Sequence, residues 1–348
     1  MPAAVATNLF GLFPGRASAS TSGPACSRAR VTRGPRAPRA IEQSEVGASS
    51  EPFYIKGVPT TSAWELDFCS RPLLDERKKK VWELLICDAE RTFEYSEYFP
   101  NNKINSATLK QAIDRIVQME GAVKPDKVRF FRGQMQTIIT RALGELDIRA
   151  VPSRRCFSII AWLKDRMDNH YPALPGYDAA SPTLFTMDTG VAEDLPDALR
   201  GESWAFVQLP LSAVLAELES VERGEVFGST FPLETAGIEV EEGDDPLVPG
   251  VAVFSRRALP LAGWTNGLEL SRMRADAERG FLMLETGVSQ RWRYSSFPRT
   301  PQAREEAAAW SQAVDGSQGL HFLAIQEDPE GEEVAGLWLM RDVEIPKI

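Results

Sequence analysis

Three carboxylates stand close together early in the chain: Asp67, Glu83 and Asp88. An Asp on one strand and a Glu-x-Lys on the next is the donor set with which metal-dependent nucleases hold Mg²⁺ and orient water. Here the residue two after Glu83 is Leu85, so the lysine is missing. A nuclease-fold enzyme using Asp67 and Glu83 is therefore the alternative reading, and its structural counterpart is a buried Glu83 paired with an arginine such as Arg71. No phosphate-binding Gly-rich loop, nucleophile elbow or Cys-x-x-Cys occurs. His170 and His321 fall in different predicted domains, so no metal cluster, His-based triad or cofactor site is expected, and His170 reads as a helix C-terminal cap.

A second constellation is basic. Residues 124 to 155 hold eight Lys or Arg against three Asp or Glu. Within it, Arg132 and Gly133 follow one strand candidate, and Ser153, Arg154 and Arg155 follow the next and open a helix. Parallel strands would bring those carboxyl ends to one edge of a sheet, where open α/β sheets bind ligands. Arginines in a first helical turn oppose the macrodipole at roughly 0.3–1 kcal/mol each, whereas an anion would favour them. Lys127, Arg129 and Arg149, with Lys124, would extend such a phosphate site, and Phe130 or Tyr95 would stack splayed bases. The same set also reads as a solvated basic face paired with Glu145, Asp147 or the acidic second half.

These groups need elements to hold them. Trp64, Leu66 and Phe68 alternate with Glu65, Asp67 and Cys69, a strand with one buried face. Val81 to Cys87 is apolar except for Glu83, which suits a strand with neighbours on both sides. The run Asp75 to Lys80 connects the two as a hairpin, and both strands carry Trp-Glu-Leu, at 64–66 and 82–84. Phe93 to Tyr98 is a third strand before the turn Pro100-Asn101-Asn102. Helical spacing follows at 106 to 120, capped by Asn105 or Ser106, at 135 to 146, and at about 154 to 169, with strands at 128–131 and 148–151 between them. The order strand, strand, strand, helix, strand, helix, strand, helix implies an α/β fold with a mixed, partly parallel sheet.

The second half is expected to be α+β. Strands are read at 204–209, 250–254, 281–284, 321–325 and 334–340, helices at 211–218 and 302–314, and a long loop at 222–250. Arg291 to Tyr294 reads as an edge strand. Residues 61–177 carry 19 basic and 16 acidic side chains, a net of +3, and residues 178–348 carry 13 and 30, a net of −17. The halves should face different partners. At 348 residues, 43% apolar and 25% charged, the chain is of ordinary globular composition, and no apolar run reaches the ~20 residues of a membrane helix. The first 41 residues hold six arginines and no Asp or Glu, the composition of an organelle transit peptide, with a linker at 42–60. Cys69, Cys87 and Cys156 read as reduced, buried thiols.

The segments Trp64 to Pro72 and Lys79 to Asp88, the runs Arg129-Phe130-Phe131-Arg132 and Gln134-Met135, the junction Pro152 to Arg155, Tyr171-Pro172 with Gly176-Tyr177, and Gly336 to Met340 together resemble the Tab-two/Atab-two family. Trp64, Glu65, Asp67, Trp82 and Glu83 carry the opening motif, and Trp338-Leu339-Met340 stands where the family has Trp-Leu-Leu. The resemblance runs from about residue 61 to the end. It implies a non-enzymatic RNA-binding protein of the chloroplast stroma, activating translation of mRNAs for photosystem subunits, chiefly of photosystem I, at an A/U-rich single-stranded 5′ untranslated region. Residues 61–177 would bind RNA, and 178–348 would meet ribosome- or translation-associated proteins. An assembly scaffold without RNA contact is the third reading.

Overall fold

The computed structural model describes residues 53–180, 190–331 and 333–345. The expected leader and the linker up to residue 52 lie outside them. The rest of the linker differs from expectation, because Phe53–Lys56 forms a strand, β1.

The first half continues with β2 (Ala63–Leu74), β3 (Lys80–Asp88), β4 (Glu94–Phe99), α1 (Ser106–Val117), β5 (Lys127–Phe130), α2 (Gln136–Gly144), β6 (Arg149–Pro152) and α3 (Phe157–Asp165). Apart from β1, this is the order that the periodicities predict. The strands form one sheet in the order β1-β4-β3-β2-β5-β6. β2 pairs antiparallel with β3 and parallel with β5, and β5 pairs parallel with β6. Asn105 caps α1, its side chain accepting from the Thr108 amide at 2.9 Å.

The two faces of this sheet are covered differently. Trp64, Leu66 and Phe68 of β2, with Leu84 and Ile86 of β3, pack under the apolar stripes of α1 and α2. On the other face α3 packs Ile159, Ile160 and Leu163 against Leu85 and Cys87. That cover overturns the reading of β2 as a strand with a single buried face, since Glu65, Asp67 and Cys69 are buried too. After α3 the chain makes a π-helical turn, Arg166–His170, and returns to the end of β2, where Gly176 accepts from the Leu74 amide at 2.8 Å. Gly176 has φ +80°, and a Cβ there would stand 2.2 Å from the Leu74 carbonyl oxygen, so this contact requires glycine.

The second half adds β7 (Glu193–Asp194), β8 (Ser203–Pro210), α4 (Leu211–Glu222), β9 (Phe227–Ser229), β10 (Leu247–Phe254), α5 (Ala258–Asn266), β11 (Leu270–Asp276), β12 (Phe281–Thr286), β13 (Gln290–Ser296), α6 (Pro301–Gly316), β14 (Leu320–Gln326) and β15 (Val334–Arg341). They form two sheets, β8-β10-β14-β15-β9 and β11-β12-β13-β7. β9 lies inside the expected long loop, and β13 lies between β12 and the two-residue β7. The sequence reading omits α5 and β11. Pro260 and Gly263 interrupt the helical pattern of the first, and Arg272 and Arg274 disguise the second. Trp338 and Met340 enter the core between the sheets, and Leu339 points into the core beneath α4. His321 lies below them, accepting from the Met273 amide through Nε2 and bonding the Gly319 carbonyl through Nδ1, and burial pushes its pKa down to about 4.

Candidate nucleic-acid interface

Strand alternation puts Asp67 of β2 and Glu83 of β3 on the α3 side of the sheet, and the chain sends three arginines there. Asp67 accepts from Arg71 at 2.8 Å and from Arg132. Glu83 accepts from Arg71 at 2.7 Å through Oε2 and from Arg166 through Oε1, with the Ser96 and Tyr171 hydroxyls at 2.8 and 2.5 Å. The guanidinium of Arg166 also lies 5.5 Å from the Trp162 ring and 5.3 Å from the Tyr171 ring, a cation–π setting. Burial pushes both carboxyls up, but the guanidiniums of Arg132 and Arg71 around Asp67, and of Arg71 and Arg166 around Glu83, outweigh it and hold both below the ordinary range. Of the two readings of Glu83, the structure favours the buried ion pair with Arg71. Each carboxylate answers two guanidiniums, and a metal ion would have to displace them.

Glu65, on the same face, has a different role. Its Oε2 accepts from the Ile159 amide at 2.8 Å, in the first turn of α3. Burial pushes its pKa up to about 7 against the pull of these amides and of Arg129. The helix start for which the sequence reading supplies an external anion is thus occupied by the chain's own Glu65 side chain, as acceptor to the Ile159 amide. Cys156, Cys87 and Cys69 are buried free thiols.

The structure divides the predicted basic set. β5 and β6 are parallel, so Arg132, Arg154 and Arg155 do lie beyond their carboxyl ends, but solvent does not reach them freely. Arg132 is 1% exposed and faces Asp67. Arg154 and Arg155 precede α3 rather than opening it, so the macrodipole argument does not apply to them. Arg154 pairs with Glu285 at 3.4 Å and donates to the Val288 carbonyl. Arg155 donates to the Ser229 hydroxyl and the Thr230 carbonyl. Arg129 meets Glu269 at 2.8 Å, and Glu269 also accepts from Ser153. Thus the acidic second half closes over this edge of the sheet. Lys127 and Arg149 are register partners at the opposite, amino ends of β5 and β6, where Arg149 is exposed and Lys127 half-buried. Burial and then Arg129 lower the Lys127 pKa, with Glu269 opposing. Lys124 is exposed, 4.0 Å from Asp147. Phe130 and Tyr95 are 0% and 1% exposed, so neither ring offers a face to a base. Trp64 fills the core, and Trp82, half-buried, donates to Asn101.

Sequence reasoning missed Glu65 as the cap of α3 and Arg166 as the partner of Glu83. The available signal was a run of polar residues at every second position of β2, facing a helix whose last turn carries an arginine.

Fold and site together define a mixed α/β protein in which Asp67 and Glu83 of the opening strands are taken up by buried arginines. A family model described as "RNA-binding protein Tab2/Atab2 N terminal" matches residues 63–166, and one described as "RNA-binding protein Tab2/Atab2, C-terminal domain" matches residues 182–341. "Protein TAB2 homolog, chloroplastic" of Zea mays is 50% identical over 285 residues, covering 82% of this chain and 73% of that protein. The protein of the same name from Arabidopsis thaliana is 46% identical over 312 residues, covering 89% and 83%. The chain belongs to the Tab2/Atab2 family. A chain of a cryo-electron-microscopy structure of the simian T-cell lymphotropic virus intasome with the PP2A regulatory subunit B56 gamma matches 34% of this chain and 46% of its own length at 17% identity, with a TM-score of 0.20 that carries no argument.

Proposed function

We propose that this protein binds single-stranded RNA in the chloroplast stroma and, without catalysis of its own, activates translation of plastid mRNAs for photosystem subunits, chiefly of photosystem I, at A/U-rich 5′ untranslated regions. The observation that carries the reading is the match of both halves to a family described as RNA-binding, in order and over most of the chain. The names of the two plant relatives and the acid-free, arginine-rich leader support the compartment. Absence of catalysis is supported by Asp67 and Glu83, whose oxygens are taken up by arginines.

Of the basic residues read from sequence, the proposed phosphate contacts are those solvent reaches: Lys127 and Arg149, with Arg129 beside them. Arg132, Arg154 and Arg155, at the other end of these strands, are taken up by Asp67 and the second half and are not part of this surface. The acidic half, net −17 over residues 178–348, repels RNA and offers its surface to ribosome- or translation-associated proteins. Among the described residues no helix is long and apolar enough to cross a membrane.

The test is a titration of a labelled U-rich RNA at two salt concentrations. The Lys127→Gln/Arg149→Gln variant should bind roughly tenfold more weakly, with its salt slope reduced by about 1.4, since each single-strand phosphate contact contributes about 0.7. An unchanged slope removes this surface, and a parent protein that shows no binding at low salt sinks the RNA reading itself.

A further inference from the structure

Three cations in the connection between β2 and β3, Arg77, Lys78 and Lys79, bear charge that the fold does not use. Arg77, Lys78, Lys79 and Lys80 follow one another there, against Asp75 and Glu76, and residues 76–79 are exposed. Arg77, Lys78 and Lys79 make no ion pair and no side-chain hydrogen bond among the described residues. By contrast, Arg71, Arg129, Arg132, Arg154, Arg155 and Arg166, buried or turned to the second half, have partners.

Turn geometry does not explain these cations either. The turn is held by Asp75, whose Oδ1 accepts from the amides of Arg77 and Lys79 at 2.9 and 2.8 Å, and whose backbone bonds those of Lys78 and Lys79. Any side chains at 77 and 79 would serve. At Lys78 the backbone has φ +59°, a conformation that favours Gly or Asn over lysine. Four neighbouring like charges repel one another, and here the second of them sits on an unfavourable backbone.

The surroundings add to the site. The turn Asn101–Lys103 follows Phe99, the register partner of Trp82, after Pro100, and Trp82 donates to Asn101, so exposed Lys103, itself without an ion pair among the described residues, stands alongside. Tyr177, 39% exposed, bridges Leu73 at the root of the hairpin, and half-buried Trp82 follows Lys80 by two residues. Cations in a row beside accessible aromatic rings are the makings of a single-strand surface, where phosphates meet Lys or Arg and bases stack. β2 separates this place from Lys127, the register partner of Ala63, by eleven residues, about 36 Å.

We infer that the β2–β3 hairpin, through Arg77, Lys78, Lys79 and Lys80 with Lys103 and Tyr177 beside them, is a second and separate contact for single-stranded RNA. This rests on the RNA-binding reading above and adds a surface that the basic residues around β5 and β6 do not include. Asp75 holds the backbone of the turn, so binding has only the side chains of the cations to order.

The test uses the full chain and a labelled uridine-rich RNA of about twenty nucleotides, enough to cover the 4–16 typical of one single-strand site. The variant is Arg77→Gln/Lys78→Asn/Lys79→Gln/Lys80→Gln, which keeps Asp75 and relieves the backbone at 78. The control is Arg223→Gln/Arg256→Gln in the acidic half. Binding by the quadruple variant should fall tenfold or more at low salt, with the salt slope reduced by about 2–3, while the control changes less than twofold and neither variant melts below the parent. Crosslinking of the parent should mark peptides containing residues 77–80 or Tyr177. A parent that binds RNA with a quadruple variant of equal affinity and slope overturns the inference and leaves the RNA reading standing. Equal losses in variant and control show an effect of overall charge and also overturn it. A parent that binds no RNA overturns both.

Discussion

β2 shows two faces of one strand solved by opposite chemistry. Toward α1 and α2 it presents Trp64, Leu66 and Phe68, a hydrocarbon surface whose burial is favourable at ~25 cal/mol per Å² and indifferent to detail beyond volume. Toward α3 it presents Glu65, Asp67 and Arg71, each of which loses water and must recover it from a specific partner. The first face tolerates substitutions of similar size. The second is strict, because three guanidiniums (Arg71, Arg132, Arg166) and two carboxylates (Asp67, Glu83) share it. Removing Glu83 leaves Arg166 buried without its carboxylate. The arrangement joins β2 and β3 to residues that come much later in the chain, so the ionic face also fixes where α3 and its following turn lie.

The sharpest way to break this comparison is Glu83→Gln. It keeps the shape and removes one of the two negative charges from among the three arginines. Unpairing a buried ion pair is destabilising by roughly 3–5 kcal/mol. Urea denaturation, read by tryptophan fluorescence and circular dichroism, should show a loss of that size. A loss under about 1 kcal/mol would mean that the ionic face is as forgiving as the hydrocarbon one.

Glu65 sharpens the comparison by pH. Its folded-state pKa of about 7 stands above the ordinary 4.5, so the native state holds the proton more tightly than the unfolded chain. The stabilisation is fully present below about 4.5 and is lost as pH rises through 7, in total about 3 kcal/mol at 1.36 kcal/mol per unit. Glu65→Gln keeps an oxygen for the Ile159 amide and cannot ionise. Relative to the parent it should therefore gain about 3 kcal/mol between about pH 4 and 8. His321 and His170, whose pKa values are lowered by burial, pull the other way. They do so in both proteins and leave the difference unaffected. A difference that is flat with pH would show that the α3 cap carries no ionisable strain.

How far this was legible in sequence follows from the same two faces. The hydrocarbon face was, because Leu109, Ile113 and Ile116 or Trp64, Leu66 and Phe68 repeat at the period of their element. The ionic face was not. Alternation shows that Glu65 and Asp67 share a side, but nothing local shows that α3 covers it, and charged residues are ordinarily exposed. The partners are remote: Glu83 and Arg166 are 83 residues apart, and Arg129 and Glu269 are 140. The carboxyl-edge arginines were located correctly along the strands, but the closure of the second half over them leaves no pattern in their own neighbourhood. α5 was illegible for another reason, since Pro260 and Gly263 remove the local signal of a helix whose stability comes from packing.

The smallest expected effect is also a control on the whole comparison. Arg141 and Glu145 are an arginine–glutamate pair at 3.3 Å, with Lys110 at 3.2 Å from the same carboxylate. Chemically this is the Arg166–Glu83 contact moved to the outside of α2. Water solvates both partners there, salt screens them, and long side chains lose entropy on being held. Lys110 also remains as an alternative partner. Arg141→Gln should therefore leave the urea midpoint where it is, within experimental error, and added salt should not separate variant from parent. If it instead destabilised the protein as much as Glu83→Gln, burial would not be what makes the α3 face strict. The strictness would then have to come from the arginine–glutamate geometry alone.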